Sequence, residues 1–513
     1  MVITLKRTKL FLINGIILTL TTLFMRSIGF IFNIYIAKKV GSETIGVFQL
    51  VMSVYLFAIT FSTSGISLAC TCIVSEELEK KNYNLVIKTV KLCIVYSVIL
   101  GAFCALLLVL FSPTICTTWL KNKITITPIY SMALGLPLIA FSSVIGGFLN
   151  AVGGKPFKNS ISQIAEFIVK IASTLILLKL YFSSEISNIC TILILADVIS
   201  EVASFVLNII FYHIEKNKIF VNRNIVKNQS KKILKIAFPV AITSYIRSGL
   251  SSFKQFLIPI SLERSGLSYS LAISNYGVIN GMVMPILMFF TVFIIPFSNL
   301  LIPEFSRLLA GKNYNRMKTV TEIIFKNIFI FSIFIAGTLL FFSSEISYLI
   351  YQNFECSNWI KILSPLVIFM YIDNIIDNLL KGINEQFKVM CCNILDLVVT
   401  ITILYFVVPI IGMNGYILSI YVSEILNFTI SMFQLKNRIP FKISFKKYIV
   451  LPIIACICSY LITSLLNFTF NNFLFYIISK ILIFLIFYLL CIFLGYYIKN
   501  LFRSNYFKVL FYK

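Results

Sequence analysis

Charge is what this sequence lacks. Only 12% of its 513 residues are Asp, Glu, Lys or Arg, about half the share in an average soluble domain. That scarcity excludes a water-surrounded fold for the bulk of the chain. With 59% apolar residues and a mean hydropathy of +0.95, most of it belongs in lipid. Histidine is rarer still: the single one, His213, leaves no His-Glu-x-x-His metal motif. There is no phosphate-binding P-loop either. Gly153-Gly154-Lys155-Pro156 has its first glycine misplaced and no Ser or Thr after the lysine, so it reads as a tight turn. The 12 cysteines lie mostly in apolar runs, and neither Cys70/Cys72 nor Cys391/Cys392 has a zinc spacing. Cys116 and Cys356 are the one conceivable exposed pair, and nothing in the sequence requires it. No metal site, no cofactor and no enzyme activity are expected.

What is present is a succession of long apolar runs. Windows of ~20 predominantly apolar residues mark about 14 spans, the first at 10–37 and the last at 474–498, with 360–384 and 388–409 the least apolar. The first run follows Lys6, Arg7 and Lys9 but is too long for a signal-peptide core, so it reads as an uncleaved span. Basic residues concentrate in alternate connections, while the intervening ones hold only a few, such as Lys38, Lys39, Lys121, Lys123 and Arg264. This skew tests the span count independently and places both termini in the cytoplasm. It also accounts for the formal charge of +25 without nucleic acid, because no nucleic-acid-binding motif accompanies it.

The chain repeats itself. Lys81-Asn82-Tyr83-Asn84 recurs as Lys312-Asn313-Tyr314-Asn315, Phe157-Lys158 as Phe387-Lys388, and Ser200-Glu201 as Ser423-Glu424. Collinear matches of this kind predict two parallel six-helix lobes, with a site between them and alternating access around it. The expected organisation is therefore an N-terminal lobe at 1–213, a basic cytoplasmic linker at 214–233 and a second lobe at 234–435. Two additional helices at 448–500 and a basic tail at 501–513 complete it.

Charges kept inside apolar spans are the candidates for function, since each costs at least ~2.5–3.5 kcal/mol without water, a partner or a ligand. Arg26 lies near the middle of the first span, and Arg247 and Lys254 lie in the seventh, its repeat partner. Converging cations suit a diphosphate stripped of water. Asp373 and Asp377 share one helix face, where mutual repulsion lets one hold a proton, as coupling to H+ or Na+ or to the membrane potential requires. Lys170 is one turn from Glu166 and is expected to pair with it, and the repeat-related Glu201 and Glu424 are expected to serve helix packing. Pro137, Pro239, Pro285 and Pro296 fall within spans and should bend them.

Met25-Arg26-Ser27-Ile28-Gly29-Phe30, then Ile36-Ala37-Lys38 and Gly41 through Gly46-Val47-Phe48-Gln49, resemble the opening of the stage V sporulation protein B family. Gly65-Ile66-Ser67 and the acidic cluster Glu76–Glu79 resemble the end of its second helix. That family belongs to the multidrug/oligosaccharidyl-lipid/polysaccharide exporter superfamily. The resemblance implies an all-α fold like the multidrug exporters and lipid II flippases. It also implies transport of an undecaprenyl-diphosphate-linked oligosaccharide or lipid II-type peptidoglycan precursor, in the bacterial cytoplasmic membrane, for spore cortex or wall synthesis. Membrane lipids and cell-wall synthases would be its partners. Arg26 matches the family's first-helix arginine, while Asn33 stands where members often carry a second arginine, which lowers the cation count at a substrate site formed by Arg26, Asn33, Arg247 and Lys254. The competing expectation is a cation-coupled multidrug exporter on the same fold, which would favour carboxylates and aromatics over cations.

Overall fold

The computed structural model describes residues 2–121, 126–152, 157–181, 185–217, 230–466 and 473–503, side chains outside 21–495 and at 157 excepted. The Gly153–Pro156 turn and Lys123 lie outside the described residues. Every regular element among those described is helical. In chain order the first are α1 (Val2–Val40), α2 (Ser42–Thr63), α3 (Ile66–Glu79), α4 (Tyr83–Thr114), α5 (Thr127–Ala151), α6 (Phe157–Leu180) and α7 (Ile186–Lys216). Next come α8 (Ser230–Arg264), α9 (Tyr269–Tyr276), α10 (Met284–Phe289), α11 (Thr291–Ala310), α12 (Tyr314–Phe341), α13 (Ser343–Tyr351) and α14 (Ser357–Leu363). The remainder are α15 (Leu366–Gly382), α16 (Gln386–Phe406), α17 (Val408–Ile411), α18 (Met413–Arg438), α19 (Leu451–Leu465) and α20 (Phe473–Arg503).

Among the described residues 13 helices are long and apolar enough to cross a membrane, and α14 with α15, bent by 54° at Ser364-Pro365, makes up to 14. Two details adjust the expected spans. α1 adds a 39-residue helix outside that count, and the helices Tyr269–Phe289 and Thr291–Ala310 are parted only by Phe290 where one span was expected. Prolines mark several irregularities, as a residue without a backbone N–H must. Pro285 follows a π-helical stretch, Gly277–Val283, and Pro113 precedes another, Ile115–Trp119.

Two compact units emerge: residues 1–277 with 401–412, and 278–400 with 413–513. In the first unit α2 and α3 form one broken span hinged at Gly65, whose φ of +79° suits glycine. A Cβ there would also stand 2.3 Å from the Ala237 carbonyl oxygen of α8. A second crossing uses Gly46, where a Cβ would be 2.3 Å from the Ile273 oxygen of α9, with Ser42 and Ser274 hydrogen-bonded alongside at 2.8 Å. Helices from both sequence halves thus meet within this unit. Its core at the α3 end gathers Ile73, Val90, Val144, Phe148 and Ile233, all buried.

In the second unit α19 and α20 pack on α12. Phe341 stacks on Tyr460 at 4.0 Å, Phe334 stacks on Phe484 at 5.6 Å, and Tyr488 donates to the Ile330 carbonyl at 2.7 Å. A Cβ on Gly337 would lie 2.1 Å from Cys456 Sγ, so α12 and α19 touch backbone to side chain.

The internal repeat is conformational as well as textual. Lys81 and Lys312 both adopt left-handed φ values, 59° and 52°. Asn82 N–H donates to Glu77 O and Lys81 N–H to Leu78 O; Asn313 N–H donates to Leu308 O and Lys312 N–H to Leu309 O. Each is a Schellman cap that satisfies the last carbonyls of α3 and α11 and turns the chain into the next helix.

Candidate functional site

α8 shows how the span cations are presented. Tyr245 donates to the Phe61 carbonyl at 3.0 Å, Gly249 lies against Phe57, and Ser252 donates to the Ser53 carbonyl at 2.8 Å, so these three positions mark the face applied to α2. At 3.6 residues per turn, Arg247 and Lys254 lie at least about 140° round the helix from each of them. The two cations therefore share one side of α8, turned away from α2, with Arg247 exposed and Lys254 half-buried. On α1, Arg26 and Asn33 are seven residues apart, hence on one face, and both are exposed. Gly29, between them, lies 3.5 Å from Phe167 of α6 for an added Cβ.

Among the described residues, Arg26, Arg247 and Lys254 form no ion pair or hydrogen bond. Two basic groups near helix ends are paired instead. Lys232 bridges Glu76 at 2.8 Å and the buried Glu77 at 3.0 Å, Glu77 also accepts from Asn82 at 3.0 Å, and Lys158 pairs with Glu215. No described contact joins Arg26 to Arg247 or Lys254; what they share is the absence of a counter-ion.

Asp373 and Asp377 lie in the second unit, one turn apart on α15, the first buried and the second half-buried. Asp373 accepts from Asn427 of α18 at 2.7 Å. The next face of α15 continues the polar line: Asn378 donates to Ser298 of α11 at 2.7 Å and Lys381 donates to Asn378 at 3.3 Å. α15 is thus held by side-chain amides on two sides.

The expected Lys170–Glu166 pair is corrected. Lys170 reaches across to Asp197 of α7 at 2.5 Å, and Glu166 turns into a polar cavity of about 300 Å³. Glu201 lines the same cavity, a position helix-packing considerations did not anticipate. The signal available in sequence was the polar spacing Asn159, Ser162, Gln163, Glu166, one stripe of α6. All 12 cysteines are free, Cys116 and Cys356 among them, both buried. Burial pushes the Cys356 thiol up to about 12.

A duplicated helical fold whose described residues hold 13 to 14 helices long and apolar enough to cross a membrane is that of a multi-pass membrane protein. The chain belongs to the polysaccharide biosynthesis protein family, whose model matches residues 11–309. It is similar to Stage V sporulation protein B of Bacillus subtilis (strain 168), 21% identical over 463 residues and covering 88% of each chain. Among solved structures it is similar to an inward-facing multidrug resistance MATE family transporter of the MOP superfamily. That likeness has a TM-score of 0.65 and 14% identity, over 82% of this chain and 94% of that one. A MOP superfamily transporter from Pyrococcus furiosus Vc1 gives 0.59 at 14% identity, over 83% and 95%. These structural likenesses establish the fold.

Proposed function

We propose that the protein moves an undecaprenyl-diphosphate-linked oligosaccharide or peptidoglycan precursor across the bacterial cytoplasmic membrane by alternating access. Both termini are cytoplasmic, and the moving bodies are the sequence lobes 1–213 and 234–435. The observation that carries this reading is the trio of span cations without a described counter-ion. Keeping Arg26, Arg247 and Lys254 at membrane depth costs free energy that an anionic ligand offsets. Asn33, on the Arg26 face, adds a neutral hydrogen-bonding group for the same ligand. Membership of a polysaccharide biosynthesis family supports a lipid-linked sugar as cargo, and similarity to Stage V sporulation protein B supports a role in sporulation, with cell-wall synthases as users of the product. Asp373 and Asp377 are the proposed coupling groups for H+ or Na+. They are also what a cation-coupled multidrug exporter would use. Reconstitution into liposomes with labelled lipid-linked precursor, and separately with a cationic dye, decides between the two. Precursor flipping that Arg26→Ala abolishes is expected; dye efflux without precursor flipping refutes the proposal.

A further inference from the structure

The cavity between α3, α5, α6 and α7 lies within the first unit. Its wall is almost wholly Ser, Asn, Gln, Gly and Glu, with Ile139 the one apolar exception. Glu166 of α6 and Glu201 of α7 both line it beside Ser204, and no cation does, so its wall disfavours an anion.

Three lining groups are buried with a polar atom unsatisfied: Ser142 Oγ, Ser162 Oγ and Asn208 Oδ1. Ser162 is 0% and Asn208 3% exposed. Buried polar atoms cost about 1–3 kcal/mol each when left without a partner, so a ligand or water that meets them is favoured. Size discriminates among occupants. About 300 Å³ is about ten times the ~30 Å³ share of one water molecule, far more than a bare monovalent cation fills. Among the described residues no cluster of His, Cys, Asp and Glu could hold a metal ion. What matches alternating donors and acceptors over this volume is a ring of neighbouring hydroxyls, each of which both gives and accepts.

We propose that this cavity is a carbohydrate subsite that binds one neutral, polyhydroxylated sugar ring through Glu166, Glu201, Ser162 and Asn208. Its lining reaches Asn150 and Asn159, at the α5–α6 end that the basic-residue pattern assigns to the cytoplasm. The use of the subsite rests on the transport function proposed above; its binding does not, and is tested without lipid. The full-length protein in nanodiscs is examined by saturation-transfer NMR against glucose, galactose and N-acetylglucosamine, with Na+ varied. Transfer to ring protons is expected in the wild type, weakened about tenfold by Ser162→Ala and abolished by Asn208→Leu, at unchanged helical content. No transfer from any of the three sugars overturns the proposal. So does equal transfer in wild type and both variants, or a response to Na+ with none to sugar. A second arm compares bare and glycosylated undecaprenyl diphosphate. The variants should weaken only the glycosylated lipid, and equal weakening of both lipids overturns the subsite. If the protein binds sugar but neither lipid, the transport proposal falls and the subsite stands.

Discussion

Replacing Gly46 by alanine tests the tightest crossing in the first unit. The added Cβ would sit 2.3 Å from the Ile273 oxygen, whereas ordinary contact begins at 3.4 Å, so α2 and α9 must separate by 3.4 minus 2.3, or 1.1 Å. The same movement lengthens the 2.8 Å Ser42–Ser274 hydrogen bond and loosens Gly277 from the Ser42 oxygen. Overpacking of this kind costs about 1–3 kcal/mol, and alanine's better helix propensity returns about 0.5–1 kcal/mol. The net penalty is on the order of 1 kcal/mol, roughly fivefold in a two-state equilibrium. It falls only on conformations in which this crossing is closed. The assay is labelling of Ser274→Cys by an impermeant maleimide applied from outside. It should rise severalfold in Gly46→Ala, and stay at the wild-type level in Gly29→Ala, whose Cβ meets Phe167 at an ordinary 3.5 Å. Unchanged labelling together with an unchanged melting temperature in Gly46→Ala would refute the close-approach argument.

Arg26→Ala should insert normally and lose transport, with Arg26→Lys recovering part of it, because lysine restores charge without the planar fork; full activity in Arg26→Ala removes the anionic-site proposal. Lys232→Met strands the buried Glu77 and should cost about 1–3 kcal/mol, while adding Glu77→Gln should restore most of the thermal stability; a double variant no better than the single one argues against the pair. Lys312→Gly removes a left-handed side chain at the cap after α11 and should stabilise by about 1 kcal/mol, read as a higher melting temperature in detergent. Burial works to raise the Glu385 carboxyl, yet the Lys388 hydrogen bond and the Arg438 and Lys388 charges outweigh it and hold the pKa below the usual carboxylate range. Its stabilisation is therefore complete above about pH 4.3, the ordinary Glu value, and is lost as pH falls through the lowered folded value. The stability gap between wild type and Glu385→Gln should close only under acid; a gap that closes instead near neutral pH contradicts this sign.

Much of the fold was legible because lipid imposes length and polarity on the chain directly. The apolar runs, the appended pair α19 and α20 and the duplicated Lys-Asn-Tyr-Asn turn each have a local cause, so each could be read locally. The break at Gly65 was not, since it answers to the Ala237 carbonyl of a helix far along the chain. Side-chain partners were hidden for the same reason. Spacing brings Lys170 and Glu166 within one turn, but α7 offers Asp197 from across the interface, and only packing can decide that competition. Arg26, Arg247 and Lys254 stood out in sequence by cost alone. That Arg247 and Lys254 share a face followed from their spacing, and that the face looks away from α2 required the Tyr245, Gly249 and Ser252 contacts.

The stacking of α19 and α20 on α12 has a consequence for the bilayer. These two helices belong to one unit only, and rings on both, Tyr460 and Phe484, lock them to it. Each helix with its side chains is about 10–12 Å across, and the rings seated on α12 leave neither free to drift from it in the bilayer. A change in acyl-chain thickness that tilts α19 or α20 therefore acts on α12 as well.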